Sequence, residues 1–103
     1  MRPTRLDDAE VQRELADLRH WSLRSGKLHR EIRFAGFVEA FGFMSSMALV
    51  SEALNHHPEW SNVYQRVVIE LNTHDAGGIT TLDFEWARRA ERLIERASVD
   101  PAR

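Results

Sequence analysis

Hydrophobic and polar positions alternate with two periods along this chain, and the switches between them outline its elements. Around residues 6–18, Val11, Leu15 and Leu18 recur at i, i+4 and i+7, a narrow helical stripe. Asp7 followed by Glu10 has the spacing of a capping box, and Leu6 is placed to staple onto Val11. Residues 21–23 and 28–34 flank Ser25-Gly26-Lys27, and Leu28, Ile32 and Phe34 share a face by the period of two, so a hairpin is expected. Residues 37–55 form the most apolar segment, with one broad helical stripe of Phe37, Ala40, Phe41, Met44, Met47, Ala48 and Leu54. Phe43 and Val50, seven apart, make a second stripe that a lone surface helix would not need. It is expected to be buried against something outside the monomer, the alternative being a helix sunk deep in its own core.

Pro58 is expected to end that helix, because the residue before a proline is pushed out of the α region. Residues 63–72 alternate, with Val63, Val67, Ile69 and Leu71 on one face, and read as one long strand. Gly77-Gly78 breaks the chain, and Thr80 with Asp83 has capping-box spacing for a last helix reaching about Ala97. Its buried stripe is expected to be Trp86, Ala87, Ala90, Leu93, Ile94 and Ala97, with Glu85 and Arg89 as an exposed pair. The order α-β-β-α-β-α predicts an α+β fold with antiparallel strands and helices packed on one sheet face.

At 103 residues the chain is expected to form one domain, and 43% apolar with 29% charged residues is a globular balance. A net charge of -2 gives no field for phosphate backbones or anionic lipid, so neither nucleic acid nor membrane is expected as a partner. The longest uncharged run, residues 40–51, falls short of the roughly 18 apolar residues a bilayer span needs. The first eight residues turn polar and acidic where a signal peptide needs an apolar core, which points to the cytoplasm. Without cysteine there is no disulfide, iron-sulfur or thiolate chemistry.

Chemistry gathers at element boundaries. His56 and His57 close the central helix and His74 ends the long strand, while His20 and His29 read as surface residues. Glu52 lies one turn before His56, and Trp60 and Tyr64 offer flat partners. Imidazole titrates near neutrality, so several histidines at one cleft suit proton transfer. Zinc is the rival, since three imidazoles can ligate it, but adjacent His56 and His57 diverge and no His-Glu-x-x-His spacing exists. Gly77-Gly78 lacks the context of a phosphate loop, and the arginines between 88 and 96 alternate with Glu85, Glu91 and Glu95 as a solvated face would.

The run Glu52-Ala53-Leu54-Asn55-His56-His57-Pro58-Glu59-Trp60-Ser61-Asn62-Val63-Tyr64, then Thr73-His74, Gly77-Gly78-Ile79-Thr80 and Asp83, resembles the signature of pterin-4a-carbinolamine dehydratases. Phe41-Gly42-Phe43-Met44 adds to the likeness, which covers residues 21–97; Gly36 departs from the acidic cap often found there. The resemblance implies a four-stranded antiparallel sheet with three helices on one face, the extra strand coming from division of residues 60–72. It implies dehydration of 4a-hydroxytetrahydropterin to quinonoid dihydropterin, the recycling step for the cofactor of aromatic amino acid hydroxylases, without metal or cofactor. It assigns His56, His57 and His74 to pterin binding and proton transfer, Glu52 and Asp83 to supporting them, and Trp21 and Trp60 to the pocket wall. It also implies a homodimer or homotetramer assembled through the central helix. The same family includes a dimerisation cofactor of a transcription factor, so a partner-binding module is the competing expectation.

Overall fold

The computed structural model describes residues 3–97. Helix α1 spans Asp8–Leu15, capped reciprocally by Asp7 and Glu10. It stops three residues short of Leu18, which is nevertheless buried beside Val11. Strands β1 (Ser22–Arg24) and β2 (Lys27–Arg33) are joined by a two-residue turn, Ser25-Gly26, both at positive φ. That left-handed pair matches the natural twist of a hairpin, and it frees Lys27 to begin β2 instead of serving the turn.

Helix α2 spans Phe37–Leu54. It ends three residues before its proline is reached: Asn55 adopts the left-handed conformation (φ 50°, ψ 45°). His56 N–H then donates to Ser51 C=O at 2.9 Å and Asn55 N–H to Glu52 C=O at 3.2 Å. This is a Schellman closure, so Asn55 ends the helix and Pro58 follows it. Residues 63–72 are not one strand. β3 (Glu59–Val63) and β4 (Arg66–Leu71) are separated by a turn at Tyr64 and Gln65, with Tyr64 at φ 51°. Asn62 Nδ2 donates to the carbonyls of Tyr64 and Arg66 and holds that turn without glycine or proline. Helix α3 spans Thr81–Arg96, capped by Thr80 and Asp83.

The four strands form one antiparallel sheet in the order β1-β2-β4-β3, and with the three helices they make the expected α+β fold. Leu28, Ile32 and Phe34 of β2 and its extension, with Val67, Ile69 and Leu71 of β4, are buried towards the helices. The opposite face carries the ion pairs Lys27–Glu59, His29–Glu70 and Arg66–Glu31. α3 adds Phe84, Trp86, Ala87, Ala90 and Ile94 to the core; Phe84 was not in the expected stripe, and Leu93 and Ala97 are partly buried.

The phase of α2 differs from the sequence expectation. Its buried line is Ala40, Phe43, Met47 and Ser51, with Val50 partly buried against the core, so Phe43 is internal and Val50 lies at the core's edge. The outward apolar face consists instead of Phe37, Val38, Phe41 and Leu49, the last 74% exposed. By length and apolar composition α2 could cross a bilayer, which the shorter uncharged run of residues 40–51 did not suggest. It carries Glu39 and Glu52, however, and its buried line contacts the sheet and α3.

Candidate active site

The Schellman turn determines what the His-His pair can do. By reversing the chain at Asn55 it sends consecutive side chains to opposite environments: His56 is buried and His57 exposed. Trp86 of α3 fixes this end of α2, its Nε1–H donating to Ser51 Oγ at 2.9 Å while Ser51 donates to Met47 C=O. Trp60 stacks edge-on against Trp86, with ring centroids 5.9 Å apart. The amino end of α3 is thereby held beside His56.

There Asp83, fully buried, faces His56 Nε2 with Oδ1 at 2.5 Å. Asp83 Oδ2 accepts from Thr73 Oγ1 and from Thr80 N–H, each at 2.9 Å. A carboxylate at a helix amino terminus meets both free backbone amides and the positive end of the dipole. The capping residue of α3 is thus also the partner of a buried imidazole. His57 Nε2 pairs with Glu52 Oε2 at 2.6 Å in an exposed contact.

His74 opens a short 3-10 turn, His74–Ala76, that follows β4. The turn is closed by Thr73 and Gly78, which exchange two backbone hydrogen bonds. Gly77 ends it at φ 73°, ψ 22°, a left-handed position that favours glycine. At Gly78 a Cβ would lie 2.6 Å from Cδ of the exposed Arg5, whose stem crosses over it and would have to shift.

His56, His57 and His74 line one cleft of about 300 Å³, together with Lys27, Glu59, Asn72 and Asp75. Glu52 and Asp83 stand behind two of the three imidazoles. The two tryptophans do not reach the lining. Trp60 lies against Trp86, and Trp21 is buried elsewhere, its Nε1–H donating to Glu91 Oε1 at 2.7 Å. Glu91 also accepts from Arg30 Nε at 2.8 Å, so Trp21 belongs to a latch between β2 and α3 and is not among the residues lining this cleft. Sequence reasoning missed Lys27 and Glu59, an ion pair at the cleft with both carboxylate oxygens within 2.9 Å of Nζ. Glu59 stood inside the recognised motif, but nothing local linked it to a residue 32 positions earlier.

A larger depression, about 380 Å³, lies between α1 and α3 and is lined by Arg13, Arg88, Arg89 and Arg92 with Glu10, Glu14 and Glu85. It holds no histidine, and Arg88–Glu14 and Arg89–Glu85 pairs neutralise much of its charge, so its size does not make it the chemical site. Among the described residues, no three His, Asp or Glu side chains converge as metal ligands.

Comparison with known proteins agrees with this geometry. The family model for pterin 4 alpha carbinolamine dehydratase matches residues 4–93. A relative from Solibacter usitatus named "Putative pterin-4-alpha-carbinolamine dehydratase" is 53% identical over 90 residues, covering 87% of this chain and 95% of the relative. One of the same name from Rhizobium leguminosarum is 48% identical over 101 residues, covering 96% of this chain and all of its own. The crystal structure of a transcriptional coactivator/pterin dehydratase from Brucella melitensis superposes with a TM-score of 0.84 at 40% identity, covering 87% of this chain and 98% of that one. A pterin dehydratase-like RuBisCO assembly factor of the alpha-carboxysome shares the fold alone, at a TM-score of 0.59 and 20% identity, over 71% of this chain and 84% of that one. With the family model matched along nearly all of its length and the three histidines of the motif gathered in one cleft, this chain belongs to the pterin-4a-carbinolamine dehydratase family.

Proposed function

We propose that this protein is a dehydratase converting 4a-hydroxytetrahydropterin to quinonoid dihydropterin and water. The observation that carries the reading is the buried His56–Asp83 pair in a cleft also lined by His57 and His74. The reaction breaks the C4a–O bond of a carbinolamine. An acid protonates the departing oxygen, the ring-nitrogen lone pair forms the new C=N bond, and a base takes the N–H proton, so water leaves and no electrons are gained or lost. Imidazoles serve both transfers at neutral pH without large retuning. His56 is oriented by Asp83 and His57 by Glu52, while His74 enters from the turn after β4. The physiological setting of this reading is pterin recycling downstream of an aromatic amino acid hydroxylase. Turnover of 4a-hydroxytetrahydropterin generated in place tests it: a rate well above spontaneous dehydration supports the assignment, and none above it rejects the assignment.

A second role is favoured by the outward face of α2, where Phe37, Val38, Phe41 and Leu49 are exposed together. Such a ridge suits a homodimer or homotetramer, or a protein partner of the kind implied by the coactivator name of the Brucella protein. The cleft and this face involve different residues, so the two roles can coexist.

A further inference from the structure

Thr73, Thr80 and Asp83 are enclosed together, so the direction of each hydrogen bond among them can be counted proton by proton. A threonine hydroxyl gives one proton and accepts up to two. Thr80 Oγ1 accepts from Leu82 N–H at 3.2 Å and lies 2.8 Å from Thr73 Oγ1, which lies 2.9 Å from Asp83 Oδ2. If Thr80 donates to Thr73 and Thr73 to Asp83, every proton has an acceptor. Run the other way, the chain ends at a Thr80 proton with nothing to receive it, an arrangement buried groups avoid. The relay therefore points towards Asp83.

Asp83 Oδ2 is then occupied by two donors, Thr73 O–H and Thr80 N–H, and Oδ1 faces His56 Nε2. Two donors and the amino end of a helix suit an anion at Asp83, so the shared proton belongs on Nε2. Among the described residues no hydrogen bond involves His56 Nδ1, and no enclosed side-chain nitrogen or oxygen lacks a partner. Nδ1 is therefore not fully enclosed, although His56 is buried, and the residue lines the cleft.

We propose that the Thr80–Thr73–Asp83 relay holds His56 as its Nε2–H tautomer and so commits Nδ1 as the atom that exchanges a proton with substrate, with Thr73 and Thr80 as positioning residues. The catalytic half of this statement rests on the dehydratase reading; the tautomer does not. Thr73 also precedes His74 directly, so one hydroxyl ties the turn bearing His74 to the carboxylate behind His56.

The test is long-range 1H–15N correlation of the histidine side chains in the intact protein, which separates protonated from unprotonated ring nitrogens, paired with kinetics. Neutral His56 should show the proton on Nε2 and none on Nδ1. Thr73→Val, which keeps the branched shape without the hydroxyl, should mix the two tautomers and lower kcat by roughly tenfold with little change in KM. Thr73→Ser should restore both readings. A wild-type His56 protonated on Nδ1 overturns the relay, as does a folded Thr73→Val protein with wild-type tautomer and kcat. The wild-type spectrum needs no variant, so it decides even if Thr73→Val fails to fold. The Nε2–H form without any dehydration would keep the relay and remove the dehydratase reading; dehydration with the Nδ1–H form would do the reverse.

Discussion

Two residues at the scale of single side chains separate the cleft from the core around it. Trp21, expected in the pocket wall, donates to Glu91 in a part-buried contact at α3. Trp21→Phe should therefore cost roughly 1–3 kcal/mol of stability in chemical denaturation and leave turnover nearly unchanged. A loss of turnover at full stability would return Trp21 to the pocket. At the cleft itself, hydrogen bonding to Glu59 holds the Lys27 ammonium above the ordinary lysine value of 10.5. Because the folded-state value is raised, this pair supports folding below 10.5, and the support fades as the pH climbs through the raised value. Glu59→Gln should bring the Lys27 titration, followed by NMR, back down; an unmoved midpoint would mean that Glu59 is not its cause. The histidines and Glu52 were legible because they fall at element ends, whereas spacing marked Asp83 only as a helix cap and its place beside the histidines came from the family resemblance. Trp21 was not, since an aromatic at a strand start carries no sign of the face it takes. Thr73 and Lys27 were not either, because their partners come from distant segments.

Element ends were easier to read than element phase. The capping boxes at Asp7–Glu10 and Thr80–Asp83 are both present, as four-residue signals should be. The turn between β3 and β4 escaped notice because Tyr64 takes a left-handed conformation without glycine, held by the Asn62 side chain. On α2, apolar residues occupy ten of the fourteen positions from 37 to 50 and fall all round the helix, so no broad polar face marks which side turns inward. A buried Ser51, satisfied by Trp86 and Met47, hid the true line further. The excess of apolar residues was legible, but its address was not. Leu49→Glu should therefore break or shrink an oligomer in sedimentation while leaving the monomer folded, since a twofold closure would bring like charges together out of water. Val50→Glu should instead destabilise the monomer, because Val50 packs on the core. A wild type that stays monomeric across a wide concentration range would contradict this use of α2.

On the scale of the whole molecule, the sheet supplies a stiff floor and the helix ends deliver the chemistry. α2 brings His56 and His57, α3 brings Asp83, and the loop after β4 brings His74. No two of these come from the same element except the diverging pair, so the site exists only in the folded chain. Since no three metal ligands converge among the described residues, elemental analysis of untagged protein should find no stoichiometric zinc. Zinc at one equivalent, with activity lost on chelation and regained with metal, would move the chemistry to a metal site. The most direct measurement is dehydration of 4a-hydroxytetrahydropterin, generated in place, by the wild type beside His56→Ala, His74→Ala and the control His29→Ala, which lies on the open sheet face paired with Glu70. The wild type and His29→Ala should turn over alike, and the other two should fall by roughly 10²-fold or more as acid-base help is lost. Near wild-type turnover in folded His56→Ala and His74→Ala would contradict catalysis by this cleft.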